Sequence, residues 1–276
     1  MSISVHTNKS ALVALQNLNK TNDELAGAQN RINTGLKIAN AKDNAAVWAI
    51  AQGQRADIGA LSAVKMSLDR AKSIAEVAMT AGESVSDLLV QLKEKVVAAL
   101  DPSLDPASRT AVNADYKSLL RQITQVVQNS TFDGANILDG SIAGGIKFLA
   151  NADANAYITL STKNLSLGQA IITMTAASSI GTVTLATGIM AQLNTSLANV
   201  NQALGDLGSQ SKQIENHTNF VSKLTDVLES GVGNLVDADI AKESARLQAL
   251  QVQQQLGAQA LSIANQAPQI ILRLFQ

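Results

Sequence analysis

Between Leu61 and Val96, the apolar positions Leu61, Val64, Leu68, Ala71, Ala75, Ala78, Gly82, Val85, Leu89, Leu92 and Val96 advance in strict alternation of three and four residues. That spacing places every one of them on a single stripe of an α-helix, and it is incompatible with the period of two that a strand requires. The segment opens after Asp43, a residue suited to cap a first helical turn, and extends to about Leu100. At 1.5 Å per residue this predicts a helix roughly 80 Å long, a rod rather than part of a globule.

Other segments follow the same rule. Ala11, Leu15, Leu18, Asn22, Leu25, Gln29 and Ile32 alternate by four and three, and Thr34-Gly35 then ends the helix. Asp105 and Pro106 read as the cap and first residue of a third helix, whose stripe is Val112, Tyr116, Leu119, Ile123 and Val126. From about Ile189 the spacing returns through Leu193, Leu197, Val200, Leu204, Leu207, Ser211, Ile214, Thr218 and Val221, with Gly231 and Gly233 expected to interrupt or bend that helix. A last segment carries Ala245, Ala249, Val252, Leu256, Ala260, Ile263, Ala267, Ile270 and Leu274. Between these helical halves lie the turn signals Phe132-Asp133-Gly134 and Leu138-Asp139-Gly140, and short stretches of β character at 146–148, 157–160 and 182–185. The expected fold is mainly α: an elongated antiparallel helical rod with coiled-coil termini and a small central β-hairpin region. Its expected divisions are 1–40, 41–130, 131–188, 189–235 and 236–276.

Composition narrows the function classes. Aromatic residues form 3% of the chain and the net charge is −1, so neither a stacking platform nor a basic field for nucleic acid is present. There is no cysteine, which removes thiolate catalysis, disulfides and Cys-ligated metal together. His6 and His217 have no partner at metal or catalytic spacing, and no His-Glu-x-x-His run, phosphate loop or dinucleotide fingerprint occurs. Asp237 and Asp239 read as negative charge at the start of the last helix. No cofactor, metal or catalytic residue is expected. No apolar run has the roughly 20 residues of a membrane span, and residues 1–20 lack the pattern of a cleaved secretory signal.

Several separated motifs resemble those of bacterial flagellins. Arg31-Ile32-Asn33-Thr34-Gly35-Leu36-Lys37-Ile38 and Ala41-Lys42-Asp43-Asn44-Ala45-Ala46 are similar to the family signature. So are Thr131-Phe132-Asp133-Gly134 and the terminal run through Ala264-Asn265-Gln266-Ala267-Pro268-Gln269. The resemblance marks Arg31, Gly35, Lys42, Asp43, Phe132, Gly134, Asn265 and Gln266 as signature positions. It covers about 1–140 and 190–276 and implies a short form with a reduced variable middle.

The resemblance implies a structural subunit that polymerises with copies of itself into the extracellular flagellar filament. It also implies type III export without signal cleavage, and contacts with an export chaperone, a filament cap and hook-filament junction proteins. Two positions depart from the pattern. Trp48 stands where a small residue is usual, and the stretch that many flagellins offer to an innate-immune receptor reads here with Gln91, Lys93, Glu94 and Lys95, which puts recognition by that receptor in doubt. Ser and Thr between 159 and 187 are possible O-glycosylation positions. Leu15, Leu18, Asn22, Leu25, Ile32, Leu256, Ile263, Ile270 and Leu274 are the expected assembly seam, with Asn22 as a register element or a channel-facing residue. The alternatives are a hook-filament junction protein of the same export system and, from a different class, a secreted coiled-coil binding protein.

Overall fold

The computed structural model describes the backbone of residues 8–274 and the side chains of residues 8–266. Among the described residues, five helices are present, α1 (Lys9–Thr34), α2 (Ala45–Leu100), α3 (Pro106–Asn129), α4 (Val183–Val236) and α5 (Ile240–Leu274), with a hairpin of β1 (Ile146–Leu149) and β2 (Tyr157–Leu160) between α3 and α4. The mainly helical fold with a small antiparallel sheet is the one expected from the spacing. The chain divides into two compact units, first the pair of segments 1–56 and 227–276 and second the segment 57–226. This division falls inside α2 and α4, whereas the sequence-based divisions at 40 and 236 follow the breaks between helices.

In the first unit, the Asn8 side chain accepts from Ala11 N at 3.1 Å and so caps α1. Gly35 ends α1 with φ +70°, a left-handed conformation that glycine adopts without a Cβ penalty. The two connecting segments then pair: Lys37 N donates to Val236 O at 2.7 Å, and Ala238 N donates to Gly35 O at 2.8 Å. Asp43 is not the cap of α2. Its carboxylate accepts from Ala39 N and Asn40 N, closing the preceding loop, while Asn44 accepts from Val47 N at 3.2 Å and caps the helix. Either residue is chemically able to cap; the loop needs the carboxylate one position earlier.

In the second unit, all eleven stripe positions of α2 from Leu61 to Val96 are buried. They are joined by Tyr116, Leu119, Leu120, Ile123 and Val127 of α3 and by Leu193, Val200, Leu207, Ile214 and Val221 of α4. Gly82 is part of this seam because a Cβ there would lie 2.6 Å from Leu204 Cδ2. Asp105 caps α3 by accepting from Ala107 N and Ser108 N. The Ser108 hydroxyl, followed by its backbone N–H, holds the Asp105 carboxyl below the usual carboxylate range.

After α3 the chain turns at Phe132–Ala135, whose two backbone hydrogen bonds close over Asp133 (φ +47°) and Gly134 (φ +73°). Buried Asn136 then donates to Val127 O at 2.7 Å and accepts from Leu138 N at 2.8 Å, giving the end of α3 and the next segment one shared anchor. The hairpin pairs Ile146 with Leu160 and Leu149 with Tyr157. Three hydrogen bonds connect it to the helices: Leu149 N to Ser67 Oγ, Ser161 N to Gln210 Oε1, and His217 Nε2 with Ala150 O.

Two expectations are corrected in this unit and at the end of α4. Residues 182–185 are not a strand, since α4 starts at Val183 and the Thr182 hydroxyl accepts from Leu185 N at 3.3 Å. The β-branched residues lose to a cap followed by Ala186, Ile189 and Leu193, all buried at helical spacing. Nor do Gly231 and Gly233 interrupt α4, which continues to Val236. The cost of helical glycine, about 1 kcal/mol each, is small beside the packing of a long helix. Residues 161–181 also do more than loop through solvent, because Leu165, Ile172, Met174 and Ile180 are fully buried.

Candidate assembly surface

The terminal helices α1 and α5 run antiparallel, and each contact between them has a chemical reason. Gly257 brings α5 close enough that a Cβ there would lie 3.3 Å from Leu18 Cδ1. Gln254 Nε2 donates to Asn22 Oδ1 at 2.7 Å, Asn8 Nδ2 donates to Ala264 O at 2.7 Å, and Arg31 pairs with Glu243 at 3.2 Å. Arg246 adds an exposed pair with Glu24 at 3.5 Å. Asp239 accepts from Lys242 N at 3.1 Å and caps α5.

The burial pattern separates two stripes. On α1, Ala11, Leu18, Leu25 and Ile32 are half-buried, as the sequence spacing suggests, but the buried positions between them are Thr21 and Ala28, with Ala14 half-buried on the same side. Leu15, Asn22 and Gln29, one residue further on, are exposed. Small side chains let the two helices approach, so the narrower side of α1 faces α5 and the bulkier side faces out. On α5 the covered row is Leu247, Leu250, Gln254, Gly257, Leu261 and Ala264. The other row is bare: Val252, Leu256 and Ile263 are 55%, 60% and 68% exposed. With Leu12, Val13 and Leu15 of α1, they give this unit an outward apolar surface. Ile270 and Leu274 continue the bare row by spacing, and their side chains lie outside the described residues. A groove of about 670 Å³ runs between the helices, lined by Val13, Ala14, Asn17, Leu256, Gly257 and Ala260 among others.

Of the signature positions, Arg31 makes the ion pair with Glu243, Gly35 supplies the left-handed cap, and Phe132 and Gly134 form the turn after α3. Lys42 N donates to Asn40 Oδ1 in the loop closed by Asp43, while Asn265 and Gln266 are exposed on α5. Trp48 is half-buried on the first turn of α2. Gln91, Lys93 and Glu94 are exposed on α2, and Lys95 is held by Asp115 at 2.9 Å. His6 lies outside the described residues. Glu24, Asp115, Glu243 and Arg246 were missed by sequence reasoning, which sees stripes within a helix but not which charges meet across two. Among the described residues, no helix is long and apolar enough to cross a membrane.

Comparison with known proteins agrees with this architecture. Residues 5–143 match the bacterial flagellin N-terminal helical region, and residues 190–275 match the flagellin C-terminal helical region. The chain is 55% identical to flagellin FljJ of Caulobacter vibrioides, covering 100% of this chain and 99% of that protein. It is 38% identical to a flagellin of Brucella melitensis, covering 99% of each. Two solved structures share the fold at low identity. Bacillus cereus flagellin has a TM-score of 0.50 at 16% identity over 56% of this chain and 88% of that chain. A putative flagellar hook-associated protein from Vibrio parahaemolyticus has a TM-score of 0.56 at 13% identity over 71% of this chain and 100% of that chain. The chain belongs to the bacterial flagellin family and is a non-enzymatic structural subunit of the flagellar filament.

Proposed function

We propose that the bare row of α5, Val252, Leu256 and Ile263 with Ile270 and Leu274 beyond them, is the seam through which one subunit joins others, helped by Leu12, Val13 and Leu15 of α1. The observation that carries this reading is a second apolar row at helical spacing on a helix whose first row is already covered by α1. Burying one Leu or Ile contributes about 1.5–3 kcal/mol, so a few such residues per subunit, repeated along a polymer, are sufficient to hold it. In this scheme Leu18, Leu25 and Ile32 stabilise the subunit's own helix pair, and Asn22 orients Gln254 beside the seam. The signature residues Arg31, Gly35, Lys42, Asp43, Phe132 and Gly134 act one step back, by shaping the helix ends and turns that present it. Residues 1–40 and 236–276 serve as inner-core helices, 41–130 and 189–235 as the surrounding rod, and 131–188 as the reduced variable segment. The filament is extracellular, and the subunit reaches it by type III export with a chaperone, then meets cap and junction proteins.

Leu256→Asp and Ile263→Asp test the seam. Each places a carboxylate where another subunit would have to desolvate it, at a cost of several kcal/mol, yet on an exposed position of the free chain it changes stability by about 0.5 kcal/mol or less. Both variants are expected to keep the parental circular dichroism and to stay in the supernatant after seeding. Normal sedimentation of both would remove α5 as the assembly element.

A further inference from the structure

α5 is helical from Ile240 to Leu274 and therefore runs through Pro268. In an α-helix the carbonyl of residue 264 accepts from the N–H of residue 268, and proline has none. Ala264 O is thus left without its intrahelical donor. Asn8, at the opposite end of the sequence, donates its side-chain amide to that carbonyl at 2.7 Å. The same side chain, through Oδ1, accepts from Ala11 N and caps α1. One amide group therefore answers two orphaned backbone groups, a donor at the start of α1 and an acceptor that Pro268 creates in α5.

We infer that Asn8 and Pro268 form a register lock between the two ends of the chain: the proline frees one carbonyl, and only α1 docked in the correct register brings an amide donor to it. The selectivity comes from position. A carbonyl freed at one residue in a helix of uniform backbone marks one place along α5, and it adds to the register that the Leu18–Gly257 approach and the Asn22–Gln254 hydrogen bond set further along the pair. A slip of α1 by one turn would move Asn8 about 5.4 Å along the axis and leave Ala264 O unpaired. The lock sets the placement of the helix pair that presents the seam, so it rests on the filament reading.

Four chains test it: the parent, Asn8→Asp, Pro268→Ala, and the double variant. Aspartate caps a helix as well as asparagine does and suits the positive end of the dipole, so Asn8→Asp keeps the cap while replacing the amide donor to Ala264 O with an acceptor oxygen. It is expected to raise the critical concentration for seeded growth about tenfold in the parent. In the Pro268→Ala background, residue 268 regains an N–H and satisfies Ala264 O within α5, and the Asn8→Asp effect should shrink to about twofold or less. Amide exchange near Ala11 in the filaments should follow the same pattern. An equal loss in both backgrounds, or no loss in either, overturns the lock while parental growth keeps the filament reading. A parent that does not grow from seeds overturns that reading and, with it, the lock's part in assembly.

Discussion

Among the described residues, Tyr116 is the largest side chain with no exposed surface, and its hydroxyl lies 3.6 Å from Met174 Sδ. Burial pushes its ionisation up to about 12, with an interaction with the Ser178 hydroxyl acting weakly in the opposite direction. The folded chain therefore holds the proton more tightly than the unfolded chain, where tyrosine ionises near 10. The stability that follows is complete below pH 10 and is lost as pH rises through 12, by about 2–3 kcal/mol. Tyr116→Phe should remove this alkaline sensitivity in a thermal unfolding series from pH 8 to 12, with little change at pH 8. An unchanged alkaline profile in the variant would show that another group is responsible. The tyrosine's place in the α3 stripe was legible from its spacing. Its partner Met174 was not, because it comes from a segment without regular structure, where no periodicity reports which side chains turn inward.

Among the elements, helices were legible and their partners were not. The α2 stripe could be read residue by residue because one long helix packed along its whole length repeats the same geometry at every turn. On α1 the spacing located Leu18, Leu25 and Ile32, but the small residues Ala14, Thr21 and Ala28 decided the covered side, and Leu15 and Asn22 turned out. On α5 the more apolar row is the exposed one, so hydrophobicity alone points away from α1. The hairpin was recognisable from β-branched and aromatic residues, yet its docking depends on Ser67, Gln210 and His217 on distant helices. Gly145, before β1, has φ +84°, and a Cβ there would lie 2.6 Å from Leu160 O, which is backbone and cannot yield cheaply. Gly145→Ala should cost about 1–3 kcal/mol and raise exchange of the β1 and β2 amides before that of α2. Unchanged exchange in the hairpin would mean that the chain accommodates the methyl group elsewhere.

Across the whole molecule, the two compact units differ in how much they bury. The described core of the 57–226 unit runs along α2, α3 and α4, whereas that of the other unit consists of Thr21, Ala28, Ile38, Ala51, Val232, Val236 and Leu250. A thin core gives a small opening free energy, so amides of α1 and α5 should exchange well before those of the α2 stripe in dilute monomer, and slow on assembly. Leu250→Asp separates the two rows of α5. Leu250 is 5% exposed on the row facing α1, so a carboxylate there lacks a partner even in the single chain. This variant should lose helical content as well as assembly, in contrast to Leu256→Asp and Ile263→Asp, which should lose assembly alone. The contrast follows from geometry rather than from hydrophobicity, since all three positions carry a branched aliphatic side chain on the same helix. Equal loss of helical content in all three monomers would mean that the outward row is already covered within one chain, and the two-row account of α5 would fall.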